Sequence, residues 1–256
     1  MRRIDTHVHI ADHCFRQGSS PVTDPFWMLD KMDQYDVEAS WISPVSGLYP
    51  TDEFLNANKN LHSFCKVSPE RLKGFITVNP SYSKEIILDE IKRSVEEFGF
   101  RGVKLHPWMQ AFPMSTPTIN DIAEACIRYK LPMLFHDGTP PYATSFAVAN
   151  LAQRYPEATV ILGHSGLIET YSNAIAACNR LPNIWLCACG PSISHLQKIV
   201  NEADCNRILF GTDFGFGLST DSLRYRTEMW QYVEMEEHVR EKIYYGNAER
   251  LIPRHI

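Results

Sequence analysis

The chain has 256 residues, with 25 Lys and Arg against 30 Asp and Glu, a formal net charge of −5. That balance leaves no basic footprint for nucleic acid, and no apolar run approaches the roughly 20 residues of a membrane span. With 44% hydrophobic residues and no low-complexity tract or Gly/Ser linker, residues 1–256 read as one globular domain with a sizeable core.

Short apolar runs alternate with longer amphipathic stretches from end to end, the rhythm of a parallel sheet with crossover helices. The first candidate strand is Arg3–His9, followed by a helical stretch over Asp24–Tyr35. Candidate strands Ala39–Pro44 and Leu72–Val78 come next, then a helix over Lys84–Phe98 whose Ile87, Leu88, Ile91, Val95 and Phe98 form one stripe. Strand Gly102–His106 leads to helix Ile119–Tyr129, and strand Met133–His136 to helix Tyr142–Arg154. Strands Thr159–His164 and Ile184–Cys189, helix Ser192–Ala203 and strand Ile208–Asp213 complete the series. Eight such units in this length predict a (β/α)8 TIM barrel, whose active site lies at the C-terminal ends of the strands. A doubly wound open sheet is the alternative, weakened by the lack of a Gly-rich loop after the first strand.

The strand ends carry the chemistry. His7 and His9, two apart on a strand, share a face and present two imidazoles side by side. Alone the pair is a weak signal, because the chain holds ten histidines. Lys104 and His106 end the fourth strand, His136 the fifth, His164 the sixth and Asp213 the eighth. A barrel gathers these into one mouth, where a divalent cation satisfies lone pairs that would be costly to bury unpaired. Cys187 and Cys189 read as small residues packing the barrel rather than as a thiolate pair. The seven cysteines, an odd number without zinc-knuckle spacing, read as reduced thiols. With no secretory h-region in the opening residues, a cytoplasmic location is expected. Asp137 reads as the start of a loop, and His13, His62, His195, His238 and His255 as solvent-facing residues. Trp108, Met109, Phe112, Tyr142, Phe214 and Phe216 fall on catalytic-side loops, where they wall a substrate or fill gaps between helices.

The segments Asp5-Thr6-His7-Val8-His9, Arg71–Phe75, Gly102-Val103-Lys104-Leu105-His106-Pro107, Phe135-His136-Asp137, Leu162–Gly166 and Leu209–Asp213 together resemble the amidohydrolase superfamily. The resemblance is to the branch of metal-dependent hydrolases that also holds aminocarboxymuconate semialdehyde decarboxylase-like enzymes. It implies that His7, His9, His136 and Asp213 bind one divalent ion, with zinc expected. It further implies that Asp213 is the general base and that His164 polarises the substrate or shuttles a proton. In binuclear relatives His164 binds a second metal and a carboxylated Lys104 bridges the two. An unmodified Lys104 attracts a substrate carboxylate or fills the interior as an ion pair, and His106 lines the pocket.

The expected function is hydrolysis of an amide, lactone or ester in a small polar metabolite by metal-activated water. Non-oxidative decarboxylation with the same metal is the alternative; a metal-free lactonase and a non-catalytic binding protein stand behind it. Hydrolysis is preferred because Asp213 suits water activation and no arginine occupies a strand end where it could fork onto a carboxylate. The expected partner is a small-molecule substrate, with a homo-oligomer left open.

Overall fold

The computed structural model describes residues 1–12, 22–215 and 219–253; His13, Phe216 and His255 lie outside them. The elements run β1 (Arg3–Ile10), α1 (Pro25–Gln34), β2 (Val37–Pro44), α2 (Phe54–Cys65), β3 (Leu72–Thr77), α3 (Lys84–Glu96), β4 (Gly102–Leu105) and α4 (Thr118–Tyr129). They continue β5 (Met133–Phe135), α5 (Ser145–Arg154), β6 (Val160–Leu162), α6 (Tyr171–Arg180), β7 (Ile184–Cys187), α7 (Ile193–Glu202), β8 (Ile208–Leu209) and α8 (Asp221–Met229). Helices start where side chains satisfy the free N–H groups of the first turn. Asp24 accepts from the N–H groups of Phe26 and Trp27 ahead of Pro25, and Ser83 accepts from that of Ile86. On α3 the buried positions include Ile87 and Ile91, part of the expected stripe.

The strands pair in chain order, all parallel, from β1 to β8. β8 and the residues after it then return to β1. Phe210 O accepts from the Thr6 N–H (3.0 Å), and His7 O accepts from the Asp213 N–H (2.9 Å). Val8 and Phe214 form a parallel bridge at the same seam. The expected (β/α)8 barrel is the fold.

Two apolar shells hold it together. Between strands and helices lie residues such as Ile42, Ile76, Val103 and Leu162. Inside the barrel a second cluster, including Ile4, Trp41, Phe75, Leu134, Ile161 and Leu209, forms a floor toward the N-terminal ends of the strands. Trp41 stacks on Phe75 there, ring centroids 5.2 Å apart. Among the described residues, no helix is long and apolar enough to cross a membrane.

Candidate active site

The side-chain period of a strand builds the site directly above that floor. Two residues beyond Trp41 comes Ser43, two beyond Leu134 comes His136, and two beyond Gly102 comes Lys104, then His106. β1 departs from the simple period. Its pairing with β2 shifts register between Arg3 and Ile4 and again between Asp5 and Val8. Those irregularities let Ile4 sit in the floor while His7 and His9 face the mouth.

His7 is the hub. Gly163 O lies 3.0 Å from its Nδ1, and a carbonyl can only accept, so the ring proton sits there. Nε2 is therefore a bare lone pair, and Lys104 Nζ donates to it at 2.7 Å. Asp213 Oδ1 lies 3.5 Å from His7 Nε2 and 3.2 Å from His9 Nε2. Ser43 Oγ is 3.1 Å from His9 Nδ1. The ligand atoms of His7, His9 and Asp213 all fall within 4.8 Å of one another. Asp213 reaches this place in a left-handed backbone conformation, φ 57°, which is strained for a residue with a side chain.

The remaining imidazoles continue the line. His164 lies 4.9 Å from His7 by ring centroids, and His136 meets His164 edge-on at 4.3 Å. His106 stacks on His136 at 3.8 Å with only 13° between the planes. Cys189 sits between His7 and His164, its Sγ 3.4 and 3.3 Å from their Nδ1 atoms, and donates to Gly163 O at 3.0 Å.

Burial sets the charge states. It pushes the His7 ring well below its ordinary range, helped by the nearby Lys104 charge. It also lowers His9 and His136, and brings His164 down to about 4 and His106 to about 2. Burial works against the Asp213 carboxylate too, but the imidazoles of His7, His9 and His164 outweigh it and hold the group well below the usual range. The Lys104 amine falls to about 8 through desolvation. The Cys189 thiol is pushed up by burial and by neighbouring Cys187. Its Sγ and the ring nitrogens of His7 and His164 also lie within 4.8 Å of one another, a second group of metal-ligand type beyond the packing role read from the sequence.

A further layer fixes these groups. Asp5 accepts from the N–H groups of His7 (3.2 Å) and Thr212 (3.0 Å) and from the Thr212 hydroxyl (2.5 Å). Asp137 accepts from the N–H groups of His164 (2.7 Å) and Gly166 (2.8 Å) and from Ser145 Oγ (2.8 Å). It begins the loop after β5, as expected, and that loop pins the turn behind His164.

Neutral imidazoles beside an ionised carboxylate are the donor set of a borderline divalent cation. Asp213 Oδ1 and His136 Nε2 are sealed from solvent without a hydrogen-bond partner, the state a cation would relieve. The residues therefore fit a metal, with His7, His9 and Asp213 as its nearest holders. His136 is brought to the same mouth but stands outside that trio, against His106 and His164. Lys104 Nζ donates to a lone pair of the trio itself.

Sequence reasoning placed the ligand-type residues at one mouth but missed the supports. Asp5 carried a usable signal, being two residues before His7 on the same strand. Asp137, Ser43 and Cys189 act through contacts between strands, which a single sequence does not display. Of the aromatic residues, Trp108 and Tyr142 are exposed, whereas Phe112 and Phe214 are buried as filling. His62 and His195 are half-buried, stacked on Phe98 and Tyr171, so they are not free surface residues.

A curated protein is similar in sequence, and solved structures share the barrel. A gamma-resorcylate decarboxylase of Polaromonas sp. is 25% identical over 247 residues, covering 76% of this chain and 74% of that protein. The 2,6-dihydroxybenzoate decarboxylase of Rhizobium superposes with a TM-score of 0.75 at 20% identity, over 98% of both chains. The 5-carboxyvanillate decarboxylase of Novosphingobium aromaticivorans, solved with manganese, gives 0.74 at 16% identity over 98% of this chain and 95% of that one. The amidohydrolase family profile matches residues 4–254, and the chain belongs to that family.

Proposed function

We propose that this protein is a metal-dependent decarboxylase of a small hydroxylated aromatic acid. The observation that carries the reading is the juxtaposition of the His7–His9–Asp213 trio with the buried amine of Lys104, 2.7 Å from His7 Nε2. A carboxylate substrate needs a cation in the pocket. Lys104 supplies one where no arginine ends a strand, and the named relatives support the same chemistry. The expectation of hydrolysis accordingly gives way to its alternative.

His7, His9 and Asp213 would hold the ion, with His136 joining through its unpartnered Nε2. When bound, the ion supplies Lewis acidity toward substrate oxygens; manganese and zinc both suit the donors. With His7 Nε2 occupied, the Lys104 ammonium needs another acceptor, and the substrate carboxylate provides it as a point-charge partner. Asp213 takes the proton of the substrate hydroxyl and returns it to the ring carbon that bears the carboxylate. The C–C bond then breaks, its electron pair stays with the ring, and CO2 leaves. Net uptake of one proton from water restores the hydroxyl. His164, neutral and fixed by Asp137, orients the substrate's oxygen. The free thiols of the described residues suit a cytoplasmic setting.

The test is CO2 release from 2,6-dihydroxybenzoate and related acids by manganese- or zinc-loaded protein, alongside lactone and amide panels. Release that disappears in Lys104→Met and Asp213→Asn supports the reading. Hydrolytic turnover without CO2 overturns it.

A further inference from the structure

His106 stands at the mouth with one nitrogen already committed. The N–H of Met109 donates to His106 Nδ1 at 3.3 Å, closing a short turn around Pro107. A backbone N–H can only donate, so Nδ1 must be the bare nitrogen and the ring proton must sit on Nε2. That Nε2 has no hydrogen-bond partner among the described residues, yet it is not among the polar atoms sealed from solvent. It is an oriented donor left open on a ring that stacks against His136.

The ring is also held still. Gln110 Oε1 accepts from the His106 N–H at 2.8 Å, and the Gln110 N–H donates to His106 O at 2.9 Å. Gln110 Nε2 ties this turn to the segments that follow β3 and β2 by donating to Val78 O (2.8 Å) and Gly47 O (3.1 Å). Stacking on His136 fixes the plane of the ring. A donor locked in tautomer, position and plane is built to recognise something, and its ring stacks directly on His136 of the site.

We propose that His106 is a substrate-binding residue whose Nε2–H donates to an anionic oxygen of the substrate, with Gln110 and the Met109 N–H as its positioning groups. This rests on the decarboxylase reading for the nature of the substrate. The donor itself follows from the turn geometry. A hydrogen bond to a charged oxygen is stronger than one between neutral groups, so its loss should be visible in binding alone.

Two measurements test it. Nitrogen-15 NMR of the histidine rings should show a proton on His106 Nε2 and a bare Nδ1; the reverse tautomer overturns the inference. Calorimetric titration of manganese-loaded protein with 2,6-dihydroxybenzoate should show roughly 10- to 100-fold weaker binding in His106→Phe, which keeps a stackable ring without the donor. His106→Gln, which restores an N–H, should recover most of the loss, and metal content should be unchanged in both. Resorcinol, which lacks the carboxylate, separates the two oxygen sources. Its affinity is unmoved by His106→Phe if the carboxylate is read, and falls in parallel if the ring oxygen is read. Wild-type affinity for both probes in His106→Phe, in protein folded by circular dichroism, overturns the inference while leaving the decarboxylase reading intact. If wild-type protein does not bind 2,6-dihydroxybenzoate at all, the functional reading fails and the inference falls with it.

Discussion

The floor and the mouth of this barrel are built from the same strands, only two residues apart, yet they obey opposite rules. The floor is apolar and stacked in pairs such as Trp41 on Phe75, and it gains its stability from burial. The mouth buries imidazoles, a lysine and two aspartates, pulls their ionisation away from ordinary values, and holds Asp213 in a left-handed conformation. One end stores stability and the other spends it on chemistry.

Substitutions should separate the two ends cleanly. Trp41→Ala opens a large void in the floor and should lower stability by about 3–5 kcal/mol in urea unfolding. The donor trio should keep its metal affinity in the protein that remains folded. A large drop in affinity would mean that floor and mouth are mechanically one unit.

Asp213→Asn should have the reverse signature. Turnover should fall at least about 100-fold, equivalent to about 2.7 kcal/mol in the barrier. The melting temperature of metal-free protein at neutral pH should fall only modestly: asparagine tolerates the left-handed region, but a carboxylate held well below its usual range is lost as a stabilising charge. Loss of the folded circular-dichroism signature along with activity would place Asp213 in the scaffold.

Asp137→Asn tests the layer between the two. It weakens three hydrogen bonds that fix the turn behind His164. Stability should drop by about 2–4 kcal/mol, with turnover reduced by far less than in Asp213→Asn. The comparison of denaturation curves and initial rates for the two variants decides this.

The smallest effect expected is on metal affinity in Lys104→Met. The ammonium competes with a cation for His7 Nε2 and repels it, so its removal should tighten metal binding by about tenfold. Competition against a chelator measures this. Weaker binding would show that Lys104 helps to hold the ion.

The strands were legible because a short apolar run followed by an amphipathic stretch recurs along the chain, and ligand-type residues end five of the eight runs. Their ends were not. Thr159–His164 and Ile208–Asp213 read as strands, but β6 stops at Leu162 and β8 at Leu209. In the first, Asp137 captures the His164 N–H, and Ser165, Gly166 and Leu167 turn through positive φ. In the second, Phe210 N–H leaves the ladder for Ile243 O, and Thr212 N–H turns to Asp5. Helix α2 is another gap, since Asn56, Asn58 and Asn60 weaken its local propensity. Asn58 is buried there to bond Thr77 and Glu90, a tertiary purpose that no local pattern shows. The site residues were visible as types at strand ends. The structure brings three of the four expected ligands, His7, His9 and Asp213, within 4.8 Å of one another, whereas the place of His136 depends on how its ring packs against His106 and His164.

The seam between β1 and β8 has a temporal consequence. His7 and His9 belong to the barrel's first strand in chain order, whereas Asp213 follows its eighth, and the two meet only when Asp213 N–H finds His7 O. Loop closure across nearly the whole chain is therefore a condition for the donor trio to exist. A nascent chain that has not yet released its final strand can carry structured intermediate strands and helices, but not the complete cation site. A closed barrel is thus a condition for the donor trio, and a chain truncated before residue 213 would lack the Asp213 carboxylate, however well its remaining units fold.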